Sequence, residues 1–370
     1  SSGEFDKENK WLHLYNPVFY ADDIPLFYLP YFSFSTDKTR RTGLLKPEIG
    51  FGSSEGLYYR QPIYFAPEKD WDLEIDPQIR TGRGEGVHST FRFADSAYST
   101  GEFTTGYFSE HSDYAQEKSL RNDNHYGYKI MYDRSSLLSS QYSNIEDGLW
   151  LDLNYLNDVD YYNTLSQATK SYDKLVTSRL NYYVKRDLDY FGLYAKYYID
   201  TSKISNSRTP QELPTLQYHH FTSPLLLDNL LYSIDYKAKN YTRDEGITGF
   251  QNEADVPLTL YFSLLQDYLH VSISENIYAS HIAYGNDDTK ENEWRYLRNY
   301  HKISLYTELA KPYDNFYHTM YIGLDHIIPS AEDESGMYYD KSMPDEKDQL
   351  LPRLNTLAKS TSLSIKEFFY

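Results

Sequence analysis

The chain has 370 residues with 54 acidic against 36 basic side chains, and its net charge of −18 argues against a nucleic-acid partner. It is 40% hydrophobic and holds 41 tyrosines and no cysteine, which excludes a disulfide framework or a thiolate metal site within it. No apolar run approaches the roughly 18 to 20 residues of a membrane helix, yet so hydrophilic an average suits barrel strands, which alternate lipid-facing apolar with lumen-facing polar residues.

From the N-terminus, residues 11–20 and 24–34 read as strands without clear alternation. That predicts burial on both faces, and residues 1–36 as the tail of a separate β domain. Neither an initiating methionine nor a signal segment precedes them, so a processed or excised piece is expected. The second stretch is apolar, aromatic and broken by Pro25 and Pro30. A basic turn with Lys38, Arg40, Arg41 and Lys46 follows, then two strands near 44–53 and 57–65, each with an internal proline, Pro47 and Pro62. Proline supplies no ladder donor, so such strands belong at a sheet edge or at a weakened pairing.

Alternation with period two then recurs to the end of the chain. Leu149, Leu151, Leu153 and Tyr155 share one face of a strand while Trp150, Asp152 and Asn154 share the other. The strand 190–199 sets Phe191, Leu193 and Tyr197 against Tyr190 and Tyr194, and 232–239 sets Tyr232, Ile234 and Tyr236 against Asp235 and Lys237. Further strands are expected near 71–81, 87–97, 101–110, 125–134, 173–186, 214–221, 257–264, 267–281, 299–310, 315–326 and 359–370. The total is about sixteen, each close to the roughly 9 to 11 residues of a tilted membrane strand. Tight turns at 53–56 and 81–86 contrast with long polar connections at 111–124, 201–212, 243–256, 283–296 and 329–357. Short turns on one side and long loops on the other are the asymmetry of outer-membrane barrels.

Chemistry on a substrate has little support. His88-Ser89 and His219-His220 lack an accompanying motif, and neighbours on a strand face opposite sides. Glycines 50, 52, 56, 82, 84 and 86 read as turns. Asp287-Asp288 and Glu332-Asp333-Glu334 read as solvated loops rather than cation sites. No catalytic residue, metal or cofactor is expected.

The segment 24–34, Lys38-Thr39-Arg40-Arg41-Thr42-Gly43, Gln61-Pro62-Ile63-Tyr64-Phe65-Ala66-Pro67, Asp70 to Asp72, the Arg83-Gly84 turn and Phe91-Arg92-Phe93 follow one another in a distinctive order. In that order they resemble the start of the barrel in the LptD family of outer-membrane lipopolysaccharide-assembly proteins. Asp158-Val159-Asp160-Tyr161-Tyr162 and Thr209-Pro210-Gln211-Glu212-Leu213-Pro214-Thr215-Leu216 extend the resemblance, while Ser35 stands where the family has a proline. The resemblance implies an all-β fold, with a transmembrane antiparallel β-barrel over 37–370. Residues 1–36 would be the last strands of a periplasmic β-jellyroll and the hinge. Fewer strands are visible than in the family's barrel, and Ser364 and Lys366 break the alternation of a terminal insertion signal. The chain is therefore expected to stop before the barrel does.

Functionally, the resemblance implies insertion of lipopolysaccharide into the outer leaflet through the lumen and a lateral gate, where Pro47 and Pro62 weaken pairing at the meeting of the first strand with the last. Ile24, Pro25, Leu26, Phe27, Tyr28, Pro30, Tyr31 and Phe32 would line the lipid path at the hinge. Lys38, Arg40, Arg41 and Lys46 are candidate contacts for lipid A phosphates, since guanidinium favours bidentate phosphate contact. An LptE-like lipoprotein plug, an LptA-like periplasmic bridge and outer-membrane lipid would be the partners. Competing readings are a complete porin-like diffusion channel of about sixteen strands and a barrel-embedded lipid hydrolase.

Overall fold

The computed structural model describes residues 2–8, 10–21, 24–28, 30–36, 40–139, 141–142, 144–165, 173–286, 292–355 and 357–370. The chain is nearly all β, with 66% of residues in strands and a large antiparallel sheet of 18 strands. The expected fold class is therefore found. By contacts the chain divides into two compact units.

The first unit holds residues 1–135, 150–178 and 199–203. It opens with β1 (Ser2–Asp6), β2 (Trp11–Tyr15), β3 (Val18–Ala21), β4 (Ile24–Tyr28) and β5 (Tyr31–Ser35). Strands β1, β2 and β5 form one small sheet, β3 and β4 another. The expected strand 11–20 is broken at Asn16, whose φ of 52° turns the chain and whose N–H donates to the Pro30 carbonyl at 3.0 Å. Register also restores an alternation the sequence obscured, with Leu12, Leu14, Phe32 and Phe34 on one face and Trp11, His13, Tyr15 and Tyr31 on the other. Burial on both faces is not found, because Tyr15 and Tyr31 are exposed.

The large sheet begins with β6 (Gly43–Leu44), β7 (Glu48–Gly52), β8 (Gly56–Arg60), β9 (Ile63–Phe65), β10 (Trp71–Arg80), β11 (Gly84–Phe93) and β12 (Ser99–Glu110). After α1 (Ser112–Glu117) come β13 (Asn124–Ser135), β14 (Glu146–Leu156) and α2 (Tyr161–Thr164). Both helices are short and sit inside connections that carry no helical period. The second unit holds residues 136–149, 179–198 and 204–370. The remaining strands are β15 (Leu175–Arg186), β16 (Asp189–Asp200), β17 (Gln211–Pro224), β18 (Leu230–Thr242), β19 (Thr248–Leu264), β20 (Leu269–Gly285), β21 (Glu293–Pro312), β22 (Tyr317–Gly336) and β23 (Ser360–Phe369).

All sixteen expected strands are present. The count becomes 18 because the first two are each split in two, at Pro47 and at Pro62. The loops expected at 243–256, 283–296 and 329–357 are shorter than read, since β19, β20, β21 and β22 run into them. At about 3.3 Å per residue a 20-residue strand is about 65 Å long, well beyond an apolar membrane core of about 30 Å. Past that band neither face must be apolar, so hydrogen-bonded ladder continues where the hydrophobic alternation has stopped. Tight turns at 187–188, 225–229, 265–268 and 313–316 lie at the end opposite the long connections, whereas the expected tight turns near 53–56 and 81–86 close their hairpins at the long-connection end itself.

Burial is inverted relative to a water-soluble sheet. In the first unit Ile79, Val87, Phe103 and Tyr107 are exposed, while Gln78, Arg80, His88 and Glu110 are buried. In the second, Phe250, Ile273 and Leu297 are exposed, while Gln251 and Ser280 are buried. An exposed apolar face over a buried polar one is the arrangement that lipid outside and water inside require.

Candidate functional site

The first strands are weakest where their prolines fall. Between the pairs Leu44–Ile63 and Glu48–Arg60, three residues (45–47) of one strand face two (61–62) of the other. That is a β-bulge, which interrupts the ladder and bends the strand. Pro47 and Pro62 are both buried in it. The Leu45 N–H donates to the Pro62 carbonyl at 3.0 Å, but Pro62 has no N–H to return. The Gln61 side chain replaces it, its Nε2 donating to the Leu45 carbonyl at 2.9 Å. One strand further on the same defect recurs: the Gln61 N–H donates to the Pro77 carbonyl at 3.1 Å, and Pro77 has no donor to give back. Three prolines thus interrupt the same level of adjacent strands. Pro77 and Gln61 were missed from the sequence, although a proline inside the expected strand 71–81 was a readable signal.

Beside this defect the polar face carries a ladder of ion pairs. Asp72, Glu74 and Asp76 alternate along β10 and so share a face. Arg60 reaches Asp76 at 3.1 Å, Glu48 at 3.5 Å and Glu74 at 3.7 Å. Arg92 bonds Asp72 at 2.7 Å and Glu74 at 3.0 Å. Arg40 bonds Asp72 at 2.9 Å, the Tyr64 hydroxyl at 3.2 Å, and the carbonyls of Lys69 and Trp71 at 2.6 and 2.7 Å. Arg40, Asp72 and Arg92 also line a cleft of about 370 Å³ with Trp71 and Trp150.

At the long-connection end a second, buried network ties strands to α2. Arg83 grips Glu110 through Nε at 2.9 Å and Nη2 at 2.7 Å, and Glu55 joins Arg83 at 2.7 Å to Arg80 at 3.0 Å. Both guanidiniums lie over the fully buried Phe108 ring. His125 Nε2 is 3.1 Å from Glu110, in ion-pair contact but off the line of a hydrogen bond, and its Nδ1 is 2.9 Å from Asp158. Arg80 and Gln78 both donate to the Thr164 carbonyl, at 2.9 and 2.8 Å. Burial disfavours the charged form of Asp158, but hydrogen bonds from His125 and Asn122 outweigh this and hold its carboxyl below its ordinary value. Two stretches singled out in the sequence, Arg83-Gly84 and Asp158 to Tyr162, thus meet through these contacts.

The other expected site residues are only partly brought together. Tyr28 is exposed, its hydroxyl donating to Asn16 at 2.6 Å; Tyr31 is exposed and 2.6 Å from His13 Nδ1; Phe32 is buried against Phe34. Pro25 and Pro30 are exposed. Ile24, Leu26 and Phe27 lie on β4, but their side chains fall outside the described residues. Of the basic four, Lys38 lies outside the described residues, as do Asp287 and Asp288. Lys46 is exposed within the bulge and Arg41 half-exposed, whereas Arg40 is already held by protein acceptors. Glu332 and Glu334 accept from the Tyr296 hydroxyl at 2.6 Å and Trp294 Nε1 at 2.7 Å, and among the described residues no cluster of His, Asp and Glu could hold a metal. His88 bonds Gln78 and Thr164 rather than Ser89. His220 stands 2.9 Å from both Asp189 and Ser223; Ser223 is buried and Tyr232 stacks on the imidazole.

The sequence is similar to several known proteins. The LPS-assembly protein LptD of Pseudoalteromonas atlantica is 35% identical over 151 residues, 40% of this chain and 19% of that protein. That of Psychrobacter arcticus is 32% identical over 182 residues, 49% and 19% respectively, and that of Haemophilus influenzae 23% over 279 residues, 74% and 34%. The first two matches thus span about a fifth of those relatives' length. A family model described as LptD, LPS transport system D, matches residues 124–358, more than half of the sequence, and the chain belongs to that family.

Proposed function

We propose that this chain forms the gate-bearing part of an outer-membrane lipopolysaccharide translocon. The observation that carries the reading is the row of missing ladder donors at Pro47, Pro62 and Pro77, where the wall is bonded in part by the side chain of Gln61. A wall that must part sideways in lipid needs few backbone bonds at the parting line, because each exposed donor or acceptor there costs several kcal/mol. Acyl chains would leave by the hinge around β4 and β5 and the opened strands, while sugars follow the polar face past Arg60 and Arg92. Lys46, in the bulge, is the basic residue best placed to meet a lipid A phosphate; Arg40 would first have to release Asp72. An LptE-like plug and an LptA-like periplasmic bridge are the partners this reading carries. The work is binding and guiding, with no reaction on the substrate.

Photo-crosslinkers at Leu26, Pro47 and Pro62 of the natural protein, in cells making lipopolysaccharide, test the route. Adducts are expected at Leu26 and at one or both prolines. Normal insertion with lipopolysaccharide adducts at none of the three would overturn the gate and favour a diffusion channel.

A further inference from the structure

The exposed face of the second unit carries a polar interruption at membrane depth. On β19 the residues on this face run Ala254, Val256, Leu258, Leu260, Phe262 and Leu264, six apolar positions in succession. At about 3.3 Å per residue and a tilt near 40° they rise about 25 Å, the height of the lipid-facing band of an outer-membrane barrel. Glu275 of β20 lies opposite Leu258 and therefore inside that band, between the exposed Ile273 and Ile277. Across the next ladder it faces His301 of β21, which is followed on the same face by exposed Ile303 and Leu305.

Glu275 and His301 are an ion pair through Oε2 and Nδ1, with 30% and 45% of their side chains exposed. Asn299 Nδ2 donates to Glu275 Oε1 at 2.6 Å, and its Oδ1 accepts the Ala331 N–H at 2.7 Å where β21 and β22 slip register. One row nearer the tight turns, His326 bonds Thr361 at 2.7 Å on the same face. A half-exposed carboxylate and imidazole facing hydrocarbon are costly, and such groups are accommodated by water defects and local thinning of the bilayer. These groups already satisfy one another, so they have no need of a partner's donor. What remains of their exposure calls for hydration.

We propose that β20 to β23 present a polar notch to the membrane, at which water and lipid headgroups are drawn inward and the bilayer is locally thinned. The notch lies near the middle of the band, its rows level with Val256, Leu258 and Leu260. The occupant is hydrated lipid, and the consequence is a patch of membrane where a headgroup moves across at reduced cost. This inference rests on the exposed face alone and is independent of the proline gate.

The test uses the natural protein in nanodiscs of phosphatidylethanolamine and phosphatidylglycerol, spin-labelled at Ile277→Cys or Ile303→Cys. Collision with a water-soluble nickel chelate should exceed the level normal for that depth, and should fall severalfold in Glu275→Leu/His301→Leu. Glu275→Gln, which keeps the hydrogen bonds and loses only the charge, guards against misfolding of the double variant and should lower collision partially. Collisions dominated by oxygen in the parent protein would overturn the notch. Shielding of both sites from both reagents would also overturn it, in favour of a protein partner seated there.

Discussion

Gln61 does at one position what a backbone N–H does elsewhere in the sheet. Its Nε2 bonds the Leu45 carbonyl that Pro62 cannot reach, and it also lies 3.2 Å from the Pro62 carbonyl. Gln61→Ala should leave the Leu45 carbonyl without that donor and lower stability by about 1 kcal/mol, read as a reduced urea midpoint. If the gate reading holds, the same variant should leak or transport more readily; an unchanged midpoint would show that the bulge does not depend on this side chain. Asp158 makes a pH prediction. Its folded-state pKa lies below the ordinary 3.8, so the folded state binds the proton less tightly than the unfolded one. Its contribution is complete above that ordinary value and drains as pH falls through it toward the folded pKa. Amide protection in residues 157–165, taken relative to the intrinsic exchange rate at each pH, should therefore fall on acidification below about pH 4, and Asp158→Asn should abolish that pH dependence.

Among the elements, the connection after β22 shows how a long loop is made into structure. Tyr339, Leu350 and Leu351 pack against Tyr241, Ile247, Ile282 and Trp294 in a buried cluster. Arg243 ties the loop to its neighbours, donating to the carbonyls of Glu346, Lys347 and Gln349 within it and to those of Ile247 and Arg208 in other connections. Lysine keeps the charge but cannot spread donors over five carbonyls in a plane, so Arg243→Lys should expose residues 341–349 to limited proteolysis while the strands stay protected. Equal protease resistance in the two proteins would show that the apolar cluster alone holds the loop. None of this was readable in advance, because a loop's fold depends on contacts far along the chain. The strands were readable, because alternation such as Phe191 and Leu193 against Tyr190 and Tyr194 is dictated locally. Their ends were not, since β21 and β22 continue past the band where alternation is needed. At the proposed gate Pro47 and Pro62 were legible as missing donors, whereas Gln61's substitution for one of them needed the register.

For the whole molecule, the inverted burial gives a sign test that separates this fold from a water-soluble β protein. Ser304 and Leu305 are adjacent on β21 and so face opposite ways. Ser304 lies on the polar face, 2.5 Å from Asp325, and Leu305 is among the exposed apolar residues. In a soluble sheet an exposed leucine accepts arginine at little cost, and a half-buried serine does not. Here lipid covers the exposed face, so Leu305→Arg should destabilise the inserted protein by about 2–4 kcal/mol. Ser304→Arg places its guanidinium beside Asp325 on the hydrated face and should cost far less. Urea titration of both variants in lipid vesicles measures the difference. If Leu305→Arg is tolerated and Ser304→Arg is not, the apolar face is not the one that meets the membrane, and the polar notch falls with it. The proline gate, argued from missing backbone donors rather than from which face is wet, would then stand or fall by the crosslinks alone.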